Sequence, residues 1–288
     1  MLRVIAVVAS ICLCFSCASR TQPPSPAAQP VVIDDRALME QFLTRAIALR
    51  DAGKTVKSAD LIQQLGRSQC RLDLPSAPAQ VLSNEQCYDK ARSSVLVVSG
   101  LYKCEKCTQW HLSVASGFLL TASGACVTNY HVINDPKKEC YFAMTADGRI
   151  WPVMSVLAAS RADDVAILQI DPPGVRPIAL APAPAVGSPV CVISHPDNRF
   201  YTLSTGVISR YFTAHQQDHS SGSMFAVTAD YARGSSGAPI LNECGAAIGL
   251  VASTASIYYV DDGQHKDNLQ MVVKQCIPAA SILKLIER

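Results

Sequence analysis

The stretch GSSGAP at residues 234–239 decides the fold, together with two stretches that precede it, TNYHV at residues 128–132 and DVAIL at residues 164–168. In chain order they supply a histidine, an aspartate and a serine. A serine hydroxyl is a poor nucleophile at neutral pH and needs a histidine to accept its proton, with a carboxylate to orient that histidine. The three stretches therefore predict one shared reactive site.

The order His131, Asp164, Ser236 separates folds that can carry the same chemistry. It is the order of chymotrypsin-like barrels, whereas α/β hydrolases follow Ser, Asp, His and subtilisins follow Asp, His, Ser. Short β-type runs separated by Gly, Pro, Asn and Asp turns fill residues 94–253, a pattern typical of barrels or sandwiches. We predict an all-β core of two six-stranded antiparallel chymotrypsin-like barrels with the site in the cleft between them.

Bulk composition narrows the function classes. The 288 residues are 49% hydrophobic and 17% charged, which is enough apolar material for a substantial core. The formal net charge is +2 and there is no long basic run, so nucleic-acid binding has no electrostatic support. A serine–histidine–aspartate site requires no cofactor and no metal, and we expect neither.

The first residues predict export. Arg3 precedes an apolar run at residues 4–15 and a small-residue zone, which is typical of a secretory signal peptide over residues 1–18. The alternative is lipidation of Cys17, as in bacterial lipoproteins, although Cys14 replaces the usual leucine three positions earlier. Both readings place the protein in the periplasm or outside the cell, with membrane attachment only through a lipid.

The rest of the chain divides by composition. Residues 19–33 predict a flexible tether, residues 34–90 a small helical region, residues 91–276 the β-rich domain, and residues 277–288 a closing helix.

These motifs resemble the trypsin-like serine peptidases, specifically the bacterial HtrA/Deg-like branch, over roughly residues 90–275. Further matching motifs are SGF at 116–118, SHP at 194–196, STGVIS at 204–209 and IGL at 248–250. The resemblance implies an endopeptidase that cleaves peptides or unfolded proteins through an acyl-enzyme, and an oligomer by analogy. In many HtrA-like proteins, peptide-binding PDZ modules follow the peptidase domain. We expect no such domain here, which is a departure from that pattern.

The resemblance also implies roles. Ser236 is the expected nucleophile, His131 the general base and then acid, and Asp164 the residue that orients the histidine. The N–H groups of Gly234 and Ser236 are expected to form the oxyanion hole. Asp163 competes with Asp164, but the motif Asp-aliphatic-Ala-aliphatic-Leu begins at Asp164; Asp163 is expected to be a solvated turn residue.

Four residues are candidates for substrate binding: Asp230, Arg233, Ala252 and Ser253. Asp230 has the spacing of the trypsin pocket aspartate, six residues before the proposed nucleophile. However, TAD at residues 228–230 also resembles a structural aspartate of the HtrA-like branch. A preference for basic P1 residues and one for small or aliphatic P1 residues both stay open, and we favour the second.

Nine cysteines follow the predicted leader, a density that suggests disulfides in an exported protein. Because nine is odd, at least one cysteine is left over. We predict a pair between Cys126 and Cys140, which are expected on neighbouring strands.

Cys104-Glu105-Lys106-Cys107 is a separate Cys-x-x-Cys motif. A disulfide is the default interpretation; a metal is the alternative, with Cys70, Cys87 or His111 as additional ligands.

Two functions compete with an endopeptidase. One is a non-catalytic, chymotrypsin-fold binding protein of the cell envelope, against which the intact set of three residues argues. The other is an esterase that uses the same residues and would leave unstructured proteins uncut.

Overall fold

The computed structural model describes residues 32–171, 173–215 and 221–287. The predicted signal peptide, Cys17 and most of the tether, up to residue 31, lie outside the described residues. Within the described part, no helix has both the length and the apolar character needed to cross a membrane.

Four short elements precede the β-rich domain. They are α1 (Asp35–Asp51), α2 (Ser58–Gln63), β1 (Cys70–Arg71) and α3 (Asn84–Ala91). Helix α1 buries Phe42, Ala46 and Leu49, which share one face because they lie three or four residues apart. Phe42 contacts Phe142 edge-on at 6.5 Å between ring centroids. The helical region therefore packs on the β-rich domain.

Helix α3 begins with a reciprocal cap that the sequence encodes. The Ser83 hydroxyl accepts from the Gln86 N–H at 3.2 Å, and the Gln86 side chain accepts from the Ser83 N–H at 3.0 Å. Its Tyr88 hydroxyl donates to the Tyr201 carbonyl at 3.1 Å. This helix thus contacts the second half of the domain.

The first lobe is a seven-stranded antiparallel sheet with the strand order β6-β5-β2-β3-β4-β8-β7. Its elements are β2 (Val95–Lys103), β3 (Trp110–Leu119), β4 (Ala125–Thr128), the one-turn helix α4 (Tyr130–Ile133), β5 (Cys140–Met144), β6 (Ile150–Pro152), β7 (Ser155–Ser160) and β8 (Val165–Gln169). Large apolar side chains such as Leu96, Leu119 and Tyr141 fill its core.

The second lobe is a closed six-stranded barrel with the order β10-β11-β14-β13-β12-β9. Its strands are β9 (Pro189–Ser194), β10 (Thr202–His215), β11 (Ser221–Val227), β12 (Pro239–Asn242), β13 (Ala247–Asp261) and β14 (Lys266–Pro278). Phe225, Ile240 and Ile248 lie in its core.

The predicted two-lobed all-β core is confirmed, and the second lobe has the predicted six strands, whereas the first lobe is a seven-stranded sheet instead of a six-stranded barrel. Strand β6 ends at Pro152 and β7 begins at Ser155, so Val153 and Met154 separate two strands, and the first lobe has seven in all. Strand β14 was not predicted because its outer half, from Lys266 onward, is polar and exposed and lacks a buried face.

The predicted pair Cys126 and Cys140 is wrong. The two residues lie on β4 and β5, which β2 and β3 separate in the sheet, and both are buried free cysteines. Burial raises the pKa of the Cys126 thiol to about 12 and that of Cys140 to about 11. The positions of the two cysteines along the chain did not reveal the order of the strands in the sheet.

The chain ends in a shorter helix than predicted. Helix α5 (Ala279–Leu283) is followed by β15 (Ile286–Glu287), which pairs in parallel with β1. The Cys70 N–H donates to the Leu285 carbonyl at 2.9 Å. Because this strand pairing satisfies backbone groups, a closing helix over the whole of residues 277–288 does not form.

Candidate active site

His131 lies on α4, at the edge of the first lobe, and faces Asp164. Its Nδ1 is 2.9 Å from Asp164 Oδ2, and its backbone N–H donates to Asp164 Oδ1 at 3.0 Å. With Nδ1 toward a carboxylate, the tautomer that carries a proton on Nδ1 is favoured, and Nε2 is left to accept one. The pair therefore has the geometry of a general base and its orienting acid.

Asn129, between β4 and α4, fixes the backbone of Asp164. Its Nδ2 donates to the Asp164 carbonyl at 3.1 Å, and Asn129 itself is fully buried. Asp164 has a φ of 53°, in the left-handed region that aspartate tolerates better than most residues. This backbone conformation turns the Asp164 carboxylate toward the histidine.

The Asp163 side chain points away from His131, toward the C-terminal helix. Its carboxylate accepts from the Ser281 hydroxyl at 2.9 Å and lies 3.2 Å from Lys284 Nζ, both at the C-terminal helix. The expectation of a solvated turn residue was wrong, because this carboxylate is 18% exposed and attaches the chain's end to the first lobe. The structure thus separates two adjacent aspartates into different tasks.

Ser236 lies in a turn of the second lobe that two glycines permit. Gly234 has a φ of 96° and Gly237 a φ of 87°. A Cβ on Gly234 would lie 2.4 Å from the His195 carbonyl oxygen, and one on Gly237 would lie 2.2 Å from that of Ser116. The backbone at this turn therefore approaches its neighbours too closely for any side chain.

Ser116 and Thr128 of the first lobe hold this turn. The Ser116 hydroxyl donates to the Gly234 carbonyl at 2.9 Å, and its N–H donates to the Ser236 carbonyl at 2.8 Å. Thr128 Oγ1 donates to the Ser116 carbonyl at 2.7 Å. The position of Ser236 is thus set by hydrogen bonds between the lobes.

The peptide that joins Arg233 to Gly234 has a defined orientation. The Arg233 carbonyl accepts from the Asp197 N–H at 2.7 Å. Because a trans peptide directs its C=O and N–H oppositely, this bond turns the Gly234 N–H away from Asp197. In the part of the chain that the structure describes, neither this N–H nor that of Ser236 has a hydrogen-bond acceptor. Both donors are available to a developing negative charge.

The Asp197 side chain forms ion pairs with two arginines. Its carboxylate lies 2.8 Å from Arg199 and 3.3 Å from Arg233, and these hydrogen bonds, that of Arg199 first, lower the pKa of Asp197 below its usual value. Asp197 has a φ of 47°, again in the left-handed region.

Two cavities flank His131. One, of about 220 Å³, is lined by His131, Arg233, Gly234 and Ser236, with residues 113–115 of β3 as its wall. The other, of about 230 Å³, is lined by His131 and Asp164 from the first lobe and by Ala252 and Ser253 from the second. The structure thus brings His131, Gly234 and Ser236 to one cleft.

The Ser236 hydroxyl does not contact the imidazole directly. It donates to the Ala252 carbonyl at 3.4 Å, a long hydrogen bond, and no bond to His131 occurs within the described residues. Catalytic hydrogen bonds are often loose before substrate binds. Both side chains line the same cavity.

The four candidate substrate residues divide into two groups. Ala252 and Ser253 line the cavity beside His131, and Arg233 lines the other cavity. The Asp230 side chain is 91% exposed and pairs with Lys274 at 3.2 Å, and it borders neither cavity. The structure therefore does not bring Asp230 into the cleft.

Sequence reasoning assigned no role to Ser116, Thr128, Asn129 or Asp197. The first three lie inside motifs that carry the resemblance, which was the available signal. Asp197 follows the motif SHP, but its contact uses a backbone N–H, which no residue type reveals.

Comparison with known proteins agrees with this geometry. Residues 115–250 match the family profile described as a trypsin-like peptidase domain. The matched segment contains His131, Asp164 and Ser236.

The curated relatives are proteases. The chain is 26% identical over 177 residues to the serine endoprotease DegS of Salmonella typhimurium, covering 60% of this chain and 48% of that protein. It is 31% identical over 145 residues to the chloroplastic Protease Do-like 1 of Arabidopsis thaliana, covering 47% and 32%. The chain spans about half the length, or less, of these relatives.

Solved structures show the same fold. A serine endoprotease from Yersinia pestis matches with a TM-score of 0.51 at 23% identity, covering 74% of this chain and 66% of that one. An HtrA-type protease with a decapeptide matches with a TM-score of 0.56 at 16% identity, covering 70% and 65%. The chymotrypsin-like fold predicted from the sequence is confirmed.

Proposed function

We propose that this protein is a serine endopeptidase. The observation that carries the proposal is the cleft in which the Asp164-oriented His131 meets Ser236 and two free N–H donors. The match of residues 115–250 to the trypsin-like peptidase profile and the similarity to the serine endoprotease DegS support the same activity.

In this mechanism His131 Nε2 takes the proton of Ser236 as the hydroxyl oxygen attacks the scissile carbonyl. The N–H groups of Gly234 and Ser236 stabilise the oxyanion of the tetrahedral intermediate. His131 then returns the proton to the leaving amine, an acyl-enzyme remains on Ser236, and water hydrolyses it by the same steps. Asp164 keeps its charge throughout and stabilises the protonated imidazole.

An extended peptide fits the edge of β13. Strand β12 pairs with β13 only from Ala247 to Leu250, so the backbone from Ala252 onward has β14 on one side and no second strand partner among the described residues. An extended substrate can add as a strand to such an edge. This supports peptides or unfolded proteins as substrates.

Tyr231 supports a preference for small P1 residues. Its ring is 4% exposed, and its hydroxyl donates to the carbonyls of Gln275 at 2.8 Å and Ser253 at 3.2 Å. The ring therefore fills the space beneath the Val251–Ser253 segment, where a long basic side chain would have to enter. With Asp230 on the surface, basic specificity loses its counter-charge.

Fluorophosphonate labelling tests the activity, because the reagent bonds only to an activated serine. We expect labelling of the purified protein and of Ser235→Ala, and none of Ser236→Ala. Ser235 is the matched control, because its buried hydroxyl donates to Ser194 rather than facing the cleft. A folded wild-type protein that never labels would favour the non-catalytic binding protein. Labelling together with turnover of small esters, but not of unfolded casein, would favour the esterase.

Export belongs to the same proposal and rests on the predicted leader. In an oxidising compartment we expect one disulfide between Cys87 of α3 and Cys191 of β9, whose sulfurs are buried and 3.0 Å apart. Non-reducing peptide mapping of the exported protein checks this, with Cys126 and Cys140 expected as free thiols. Mass analysis of the N-terminus separates plain cleavage after residue 18 from lipidation at Cys17, and sedimentation measures any oligomer.

A further inference from the structure

Three ligating side chains converge on the turn between β2 and β3, outside the cleft. The sulfurs of Cys104 and Cys107 and a ring nitrogen of His111 all lie within 4.8 Å of one another. Cys107 Sγ is 2.9 Å from His111 Nε2. Nothing in the peptidase mechanism uses these residues.

The hairpin holds the three groups in place. Strands β2 and β3 stay in register up to the pair Lys103 and Trp110, so the turn that follows is short. The Cys104 N–H donates to the Gln109 carbonyl at 3.4 Å and closes this turn. On β3, the His111 ring stacks on Tyr102 of β2 at 5.7 Å between ring centroids. The imidazole is therefore oriented by packing and the cysteines by the turn.

The donor set determines the class of ligand. Two thiolates and one imidazole suit Zn²⁺, whereas Mg²⁺ and Ca²⁺ prefer oxygen donors. With Zn–S bonds of about 2.3 Å and Zn–N bonds of about 2.0 Å, tetrahedral ligands lie roughly 3.5–3.8 Å apart, so the present spacing needs only small side-chain movements. The Lys106 N–H donates to Cys104 Sγ at 3.4 Å, which favours the thiolate form.

We propose that Cys104, Cys107 and His111 bind one Zn²⁺ ion, with the fourth position open to water. Both thiol protons pass to solvent on binding. The additional ligands considered from the sequence do not take part. Cys70 lies at the Leu285 carbonyl and Cys87 contacts Cys191, so both have partners elsewhere in the fold.

The turn is connected to the wall of the cleft in two ways. Strand β3 continues from His111 directly into residues 113–115, which line the cavity that contains Ser236. Glu105 in the turn lies 3.8 Å from Lys137, in the segment just before Lys138, which borders the same cavity. A bound ion is therefore expected to stiffen the rim of the cleft as well as the hairpin.

The test is a metal titration that does not depend on peptidase activity. The purified, reduced protein is titrated with Zn²⁺ against a chromophoric chelator, and with Co²⁺ to detect sulfur-to-metal charge transfer. We expect one ion per chain, a charge-transfer band, and a rise in Tm with Zn²⁺. Cys104→Ser, Cys107→Ser and His111→Ala should each lose at least about tenfold in affinity. Cys244→Ser and His265→Ala, which alter a cysteine and a histidine outside the cluster, should bind as the wild type does.

Three results would overturn the proposal. The first is the absence of stoichiometric binding by the folded, reduced protein. The second is full affinity in Cys107→Ser or His111→Ala. Cys107 is exposed, so a loss of affinity in Cys107→Ser is not attributed to unfolding. The third is a Cys104–Cys107 disulfide in the protein isolated from its own compartment, because that bond would consume both sulfur ligands.

Discussion

The two lobes present their active-site residues by different physical means. In the first lobe, the His131 side chain is 52% exposed and is oriented by contacts with a single carboxylate, that of Asp164. In the second lobe, Ser236 lies in a turn whose backbone is fixed by two left-handed glycines and by hydrogen bonds from Ser116. The histidine therefore depends on one charge, and the serine depends on close backbone packing.

The largest expected effect tests the charge in the first lobe. Asp164→Asn should lower kcat by about 10⁴-fold, because the amide no longer holds His131 in the productive tautomer. Asp163→Asn is the matched control, since its carboxylate bonds to Ser281 and not to the histidine. We expect that variant to keep its activity and to lose some stability. Steady-state peptide hydrolysis measures the activity of both variants. Equal losses of activity in the two would remove the assignment of Asp164.

The next effect tests the packing in the second lobe. Gly237→Ala should lower kcat/KM by about 10²-fold, because its Cβ would lie 2.2 Å from the Ser116 carbonyl and must displace the turn. Gly66→Ala, which meets open space at an ordinary φ, is the control. The rate of fluorophosphonate labelling reports the position of Ser236 directly. A wild-type labelling rate in folded Gly237→Ala would mean that the turn is not sterically constrained.

The same contrast explains what the sequence could predict. His131, Asp164 and Ser236 each lie in a local motif that is recognisable in the sequence, so they could be named as candidates without a structure. The contacts that position Asp164 and Ser236 could not be predicted in this way, because they come from distant parts of the chain.

Contacts between distant strands could not be predicted in this way. The order of strands in the first lobe is a tertiary property, which is why Cys126 and Cys140 were paired wrongly while Cys87 and Cys191 were not paired at all. Asp230 had the right spacing in sequence, but the Tyr231 ring fills the interior and leaves the aspartate outside. Spacing along the chain does not determine the direction of a side chain.

A third prediction extends the comparison to the oxyanion donors. Asp197→Ala should lower kcat by about tenfold with little change in KM, because alanine tolerates the left-handed φ poorly and loses the ion pair with Arg233. This is less than the loss expected for removing a donor outright, about 10²–10³-fold. Asp197→Asn keeps the backbone preference and should recover most of kcat. Arg199→Ala removes the other charge partner and serves as the control.

If Asp197→Ala retains full kcat, the Gly234 N–H is held by the rest of the turn and Asp197 is not a positioning residue. If Asp197→Asn is as impaired as Asp197→Ala, the charge matters more than the backbone conformation. A parallel loss of labelling rate and kcat would place the defect at acylation.

The smallest expected effect compares one histidine from each lobe, His131 and His195. His195 lies beneath the Ser236 turn, fully buried, with its Nδ1 accepting from the Tyr201 N–H at 3.1 Å. Burial lowers the pKa of His195 to about 3 from its ordinary value of 6.5. Between these values only the unfolded chain takes up the proton, so the stability that His195 contributes is complete above about pH 6.5 and is lost as the pH falls.

Protonation of His195 in the unfolded chain should lower the free energy of unfolding by about 0.7 kcal/mol from pH 7 to pH 6. Each further pH unit of acidification should lower it by up to about 1.4 kcal/mol. Urea unfolding of the wild type and of His195→Gln measures the effect. The glutamine can still accept from the Tyr201 N–H but does not titrate, so its stability should fall less steeply with pH whatever its absolute value. Identical slopes would show that His195 is protonated in the folded protein as readily as in the unfolded chain. The contrast between His131, which is exposed, and His195, which is buried and neutral near pH 7, would then not hold.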